Sequence, residues 1–189
     1  MNYITLNTHD IANGTGFRVS LFVTGCRNKC EGCFNKETWD FNTGTPFTEN
    51  TKSAILDALN TPETDGITLL GGEPLEPENQ ETILDLLQTI KTTLPEKTVW
   101  LYTGRTINLH NGNIHVSSNF MENDIANTPI LHKILSLCDV VIDGPFIQEL
   151  KSTTMFRGSS NQRIIDMQKT LKENKIILWN PTEPEISIF

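Results

Sequence analysis

Apolar residues recur along the chain at two spacings, and the change from one to the other marks its elements. Residues 17–23 (Phe-Arg-Val-Ser-Leu-Phe-Val) are rich in β-formers and predict a strand. Thr48 is placed to cap a helix whose stripe runs Ala54, Ile55, Leu56 and Leu59. Gly66 to Leu70 predicts a short buried strand ending in Gly71-Gly72-Glu73-Pro74. Pro77 suits a first helical turn, and Ile83, Leu84, Leu86, Leu87 and Ile90 carry that helix to Leu94. Thr98 to Tyr102 predicts a strand closed by Thr103-Gly104, Ile130 to Leu137 a helix, and Val140 to Ile142 a strand ending at Asp143-Gly144-Pro145. Ile164 to Glu173 predicts a helix, and Ile176 to Trp179 a last short strand.

Strand and helix therefore alternate, which implies parallel strands joined by right-handed crossovers. Cys26, Gly71, Thr103 and Asp143 each fall just after a strand, where α/β sheets and barrels carry their chemistry. The strands are too few to close an eight-stranded barrel. The expected fold is α/β, an incomplete parallel (β/α) barrel of about five or six strands, in a single domain spanning residues 1–189. Residues 105–127 interrupt the alternation as a probable insertion. Within them Asn111-Gly112 separates two alternating runs, a hairpin signal that reads as decoration in preference to a partner-docking element.

Composition narrows the function. A net charge of −8 and a pI near 5.0 argue against a broad nucleic-acid surface. No apolar run is long enough to cross a bilayer. Residues 1–10 carry neither a basic start nor an apolar stretch, so no targeting segment is expected. With four sparse cysteines, the expected compartment is a reducing cytoplasm.

Three of those cysteines, Cys26, Cys30 and Cys33, sit on one loop with the spacing Cys-x3-Cys-x2-Cys. Structural zinc needs a fourth ligand; Cys138 is about a hundred residues away, and no His lies between Cys26 and Asn35. A redox dithiol accounts for Cys30 and Cys33 but not for Cys26. Three thiolates on a 4Fe-4S cluster leave one iron free to bind a small molecule, and this reading uses all three. Gly71-Gly72-Glu73-Pro74 reads either as a plain strand-to-helix turn or as a ligand cradle. In the second case the glycines admit close backbone approach, and Glu73 supplies a carboxylate for an ammonium group.

The cysteine loop together with Gly71-Gly72-Glu73-Pro74 resembles the radical S-adenosylmethionine superfamily. Within it the chain is most similar to the glycyl-radical activases of anaerobic ribonucleoside-triphosphate reductases. That similarity is carried by Asn13 to Arg18, Ser20 to Cys26, Cys30 to Lys36, Val141 to Phe146 and Phe156 to Gln162. The resemblance implies Cys26, Cys30 and Cys33 as metal ligands, and Gly32, Phe34, Gly71, Gly72 and Glu73 as cofactor-binding residues, with no catalytic residue beyond the cluster ligands. It implies a 4Fe-4S cluster and S-adenosylmethionine as cofactors, and reductive cleavage to a 5′-deoxyadenosyl radical. That radical takes a hydrogen atom from a glycine of the large reductase subunit. It further implies a flavodoxin-like reducing partner. Many members carry an aromatic residue just before the third cysteine. Here that place is Gly32, and the aromatic is Phe34. A radical enzyme acting on a modified nucleobase and a non-catalytic iron–sulfur or zinc module are the alternatives.

Other residues invite weaker readings. Gly14-Thr15-Gly16 lacks the third glycine of a dinucleotide loop and reads as a turn. His9, His110, His115 and His132 share no metal-like spacing, and Cys138 reads as a buried free thiol. Asp143 is either a substrate-side carboxylate or a turn former. Arg157 and Arg163 are either a clamp for a partner or part of a solvated loop.

Overall fold

The computed structural model describes residues 1–110, 113–118 and 128–181. The predicted hairpin turn at 111–112, residues 119–127 of the insertion and residues 182–189 of the tail lie outside the described residues. The strands are β1 (Asn2–Asp10), β2 (Phe17–Val23), β3 (Thr45–Pro46), β4 (Thr64–Gly71), β5 (Thr98–Tyr102), β6 (Thr106–His110), β7 (Asn113–Ser117), β8 (Val140–Asp143) and β9 (Arg163–Asp166). The helices are α1 (Glu49–Leu59), α2 (Pro77–Thr93), α3 (Pro129–Leu137) and α4 (Met167–Glu173).

Seven strands form one mixed sheet in the order β3-β1-β2-β4-β5-β8-β9. Its central four, β2, β4, β5 and β8, run parallel as predicted. The flanks differ from the sequence reading. β1 pairs antiparallel with β2 and with β3, and β9 antiparallel with β8. The helix predicted from Ile164 begins at Met167, because Ile164 and Ile165 pair with Ile142 and Val141. Asp166 then caps α4, its Oδ1 accepting from Lys169 N at 2.9 Å. The strand predicted at 176–179 amounts to a single bridge from Leu178 to Ile165. β6 and β7 form the expected hairpin, as a separate two-stranded sheet.

The alternation along each strand divides the sheet into two unlike faces. Val19, Leu21 and Val23, with Ile67, Leu69, Val99, Leu101 and Val141, point to the helix side and form the main core with α1, α2 and α3. Ile83, Leu86, Leu87 and Ile90 of α2 are fully buried there, each worth roughly 1.5–3 kcal/mol over exposure. Among the described residues the other face carries no helix layer. It holds a small cluster of Trp100, Val140 and Ile142, and the fully buried Arg18. Arg18 donates to Thr68 Oγ1 (2.7 Å), Ile67 O (2.7 Å), Thr98 O (3.0 Å), Thr98 Oγ1 (3.0 Å) and Thr15 O (3.2 Å). Its guanidinium also lies 5.4 Å from the Trp100 ring. The bond to Thr15 O, together with Thr68 Oγ1 donating to Asn13 O (2.8 Å), fastens the 13–16 turn across the sheet. Loops thus roof this face, and the parallel strand ends open beneath them.

Candidate cofactor site

β2 delivers the cysteine loop, and β4, its parallel neighbour, delivers Gly71 to Pro74. The register Val23↔Gly71 brings the two strand ends level. Pairing continues past the strands: Gly72 N donates to Val23 O and Glu73 N to Gly25 O, both at 2.8 Å. A Cβ on Gly72 would lie 2.7 Å from Gly25 O, so this approach requires glycine. The loop returns through a 3-10 turn at Lys36–Thr38, with Gly25 N bonded to Thr38 O and Cys26 N to Trp39 O.

Two buried carboxylates fasten this loop to the neighbouring strand ends. Glu73 is fully buried: Oε1 accepts from Leu75 N (3.0 Å) and Thr103 Oγ1 (2.8 Å), and Oε2 from Gly104 N (2.8 Å) and, at 3.4 Å, Asn28 Nδ2. Burial pushes its carboxyl above the usual range, opposed first by the nearby Arg105 charge. Glu76 accepts from Arg27 N (2.9 Å), Arg27 Nη1 (2.7 Å) and Arg105 Nη2 (3.3 Å). Sequence reasoning did not single out Asn28, Glu76 or Arg105. Asn28 is a spacer residue between Cys26 and Cys30, whereas Glu76 and Arg105 lie outside the motifs and only the fold brings them to the loop.

All four cysteines are free thiols. Cys26 is buried, while Cys30 and Cys33 are half-buried. Backbone N–H groups point at each sulfur of the loop: Asn28 and Lys29 at Cys26, Phe146 at Cys30, and Asn35 at Cys33 (3.4 Å). Burial, reinforced by Glu73, pushes the Cys26 thiol up to about 12, and burial also raises Cys30. Thiolates here need a cationic centre, and the N–H donors suit sulfur that carries negative charge. Among the described residues no three His, Cys, Asp or Glu side chains converge enough to hold a single metal ion. Cys138 is fully buried at the end of α3, its thiol donating to Ile134 O at 3.3 Å, and does not line this cavity.

The three cysteines line a cavity of about 400 Å3 that also includes Phe34, Gly71, Gly72 and Glu73. This is the size of a small-molecule site. Its walls are mainly aromatic and backbone, from Trp39, Tyr102 and Phe146. Gly32 sits apart from the lining, with φ +69 and packed under Gln148. Phe34 meets Phe146 edge-on at 5.1 Å between centroids, with Lys151 5.0 Å above its ring. A Cβ on Gly32 would lie 1.8 Å from Gln148 Oε1. Gly32→Ala is therefore expected to cost about 1–2 kcal/mol of left-handed strain plus the contact. Thermal melts should show Gln148→Ala recovering the contact share alone.

The far wall is the segment from Gly144 to Gln162. Gln162 organises it: Oε1 accepts from Gly158 N (2.8 Å) and Ser159 N (3.1 Å), and Nε2 donates to Gly144 O (3.0 Å). Asp143 is structural. Its Oδ2 accepts from Ile107 N (2.8 Å), and Arg163 grips both of its carboxylate oxygens. Arg163 is thereby spent, whereas Arg157 lines the cavity.

The sequence matches the family described as a 4Fe-4S single cluster domain over residues 12–165. Curated relatives bear the name anaerobic ribonucleoside-triphosphate reductase-activating protein. The protein of Enterobacteria phage T4 is 39% identical, over 87% of this chain and 93% of its own length. That of Escherichia coli K12 is 39% identical, over 86% and 96%. That of Vibrio cholerae is 36% identical, over 87% and 97%. The chain belongs to this activating-protein family. The 4Fe-4S match spans the cavity wall from Ala12 to Gln162 and ends within β9. Among the described residues no helix is long and apolar enough to cross a membrane.

Proposed function

We propose that the chain activates an anaerobic ribonucleoside-triphosphate reductase by installing a glycyl radical on its large subunit. One observation carries the reading: Cys26, Cys30 and Cys33 face the same cavity as the Gly71-Gly72-Glu73 strand end. Three thiolates with N–H donors at each sulfur fit a 4Fe-4S cluster, and a cavity of about 400 Å3 beside them fits S-adenosylmethionine. When bound, the pair supplies reductive cleavage of the sulfonium and removal of a hydrogen atom from a glycine Cα.

The chain's own groups then hold and shield. Gly71 and Gly72 bring backbone within reach of the cofactor's amino-acid end. Glu73 presents Oε2, whose bond from Asn28 is long enough at 3.4 Å to give way to an ammonium. Trp39, Tyr102, Phe34 and Phe146 exclude water and offer faces for adenine. Gly32 acts by letting the cysteine loop turn beneath Gln148. We read the sheet as an incomplete barrel and residues 1–189 as one domain, working in the cytoplasm with a flavodoxin-like donor.

Anaerobic reconstitution is expected to give about four irons per chain. Reduction with S-adenosylmethionine should then release methionine and 5′-deoxyadenosine, and adding the reductase should yield a glycyl doublet in EPR. Cleavage without any doublet would point to a small-molecule substrate. Stoichiometric zinc without iron would end the radical reading altogether.

A further inference from the structure

Phe156, Arg157 and Gln162 wall the cysteine cavity, and behind the same three residues lies a second groove of about 390 Å3. It extends past Asn161 and Ile164 to Leu178 and Trp179. Its mouth is apolar and open: Met155 is 60% exposed and Leu178 61%. Within its lining two polar atoms are buried without a hydrogen-bond partner, Arg157 Nε and Asn161 Oδ1. Elsewhere on the two side chains, Arg157 Nη1 donates to Gln162 O (3.1 Å) and Asn161 Nδ2 to Pro145 O (2.8 Å). One orphaned donor and one orphaned acceptor are what an extended polypeptide satisfies, since each of its residues brings a C=O and an N–H.

The activase reading, on which this step rests, sets a further demand. The substrate is a residue inside a protein chain, and the first cavity has room for little beyond a cofactor. The residues flanking the target need a groove that meets that cavity, and this one shares its wall. We infer that the groove holds the stretch of the reductase subunit on one side of the target glycine. Arg157 and Asn161 take its backbone, and Met155 and Leu178 take its apolar side chains.

The test uses the full-length reconstituted protein carrying Met155→Glu or Leu178→Glu. Neither side chain lines the cysteine cavity. The KM for the reductase subunit in glycyl-radical formation should rise about tenfold. Cleavage of S-adenosylmethionine without the partner should stay at the unsubstituted rate, which also reports folding. A second measurement places p-benzoylphenylalanine in place of Leu178 and irradiates the complex. The expected cross-link, mapped by mass spectrometry, falls on the reductase close in sequence to its target glycine. An unchanged KM overturns the inference. So does a cross-link to a remote reductase surface, to a second copy of this chain, or to this chain's own residues 182–189. Failure of partner-free cleavage in the unsubstituted protein would instead strike the activase reading itself.

Discussion

Cys30→Ala is expected to give a folded protein that binds less iron and produces no measurable glycyl radical. The two halves of that expectation have different physical origins. Cys30 is half-buried on a loop and outside the hydrophobic core, so truncating its sulfur removes little packing. The loop is held elsewhere, by Asn28 on Glu73, by Arg27 on Glu76 and by the backbone bonds of Gly25 and Cys26. In the proposed reading iron, in contrast, has three thiolates on this loop and would lose one. Removing an outer-sphere group typically costs about 10–100-fold in metal affinity or activity, and removing a ligand should exceed the upper figure. Iron analysis, the visible absorption of the reconstituted protein and EPR of the reductase partner read the loss, while circular dichroism reads the fold. Cys138→Ala serves as the mirror image. It should keep full iron and full radical yield while losing about 1 kcal/mol of stability, because that thiol is fully buried in the main core. A Cys30→Ala protein that still cleaves S-adenosylmethionine at the wild-type rate would rule out the proposed chemistry.

The parts of the fold that were legible beforehand are those in which burial imposes a clean period. β2, β4, β5 and β8 are short apolar runs because the central strands are covered on both faces. α1, α2 and α3 carry stripes because only one side of each meets the sheet. β1 escaped because Thr5, Asn7 and His9 are exposed and none of its apolar residues is fully buried, so Asn2 to His9 reads like loop. β9 was misread because Ile164 and Ile165 adjoin a helix in sequence and extend its apolar stripe. Only pairing with β8 shows that they belong to the sheet. The site divides along the same line. The cysteine spacing and Gly71 to Pro74 are local patterns and visible in one dimension. The groups that hold them come from β5 and its sequel, from the Gln162 loop and from Arg105, and no spacing links these positions. Asp143 illustrates the converse. A carboxylate at a strand end invited a substrate role, yet Arg163 and Ile107 N take up both of its oxygens.

Glu73→Gln is expected to separate cofactor binding from cluster binding, the opposite pattern to the loss of Cys30. The carboxylate has four donors and no acceptor among its hydrogen-bond partners. An amide must present its NH2 group on one side or the other. Turned one way it faces Gly104 N–H, and turned the other way Leu75 N–H, so neither orientation satisfies the pocket. A buried donor left unpaired costs about 1–3 kcal/mol, and the negative charge opposite the buried Arg105 is lost as well. For a chain of this size a loss of about 2 kcal/mol lowers the melting temperature by roughly 4–8 °C. The three thiols remain, so iron content should stay near that of the unsubstituted protein. The ammonium partner is gone and Asn28 no longer has an anionic anchor, so affinity for S-adenosylmethionine should fall at least about tenfold, the equivalent of one charge-assisted hydrogen bond. Calorimetry on the reconstituted variant distinguishes the two roles of this residue. A lowered melting temperature with unchanged cofactor affinity would make Glu73 a purely structural tie between β4 and β5. The expected fall in both makes it a tie that also receives the ligand.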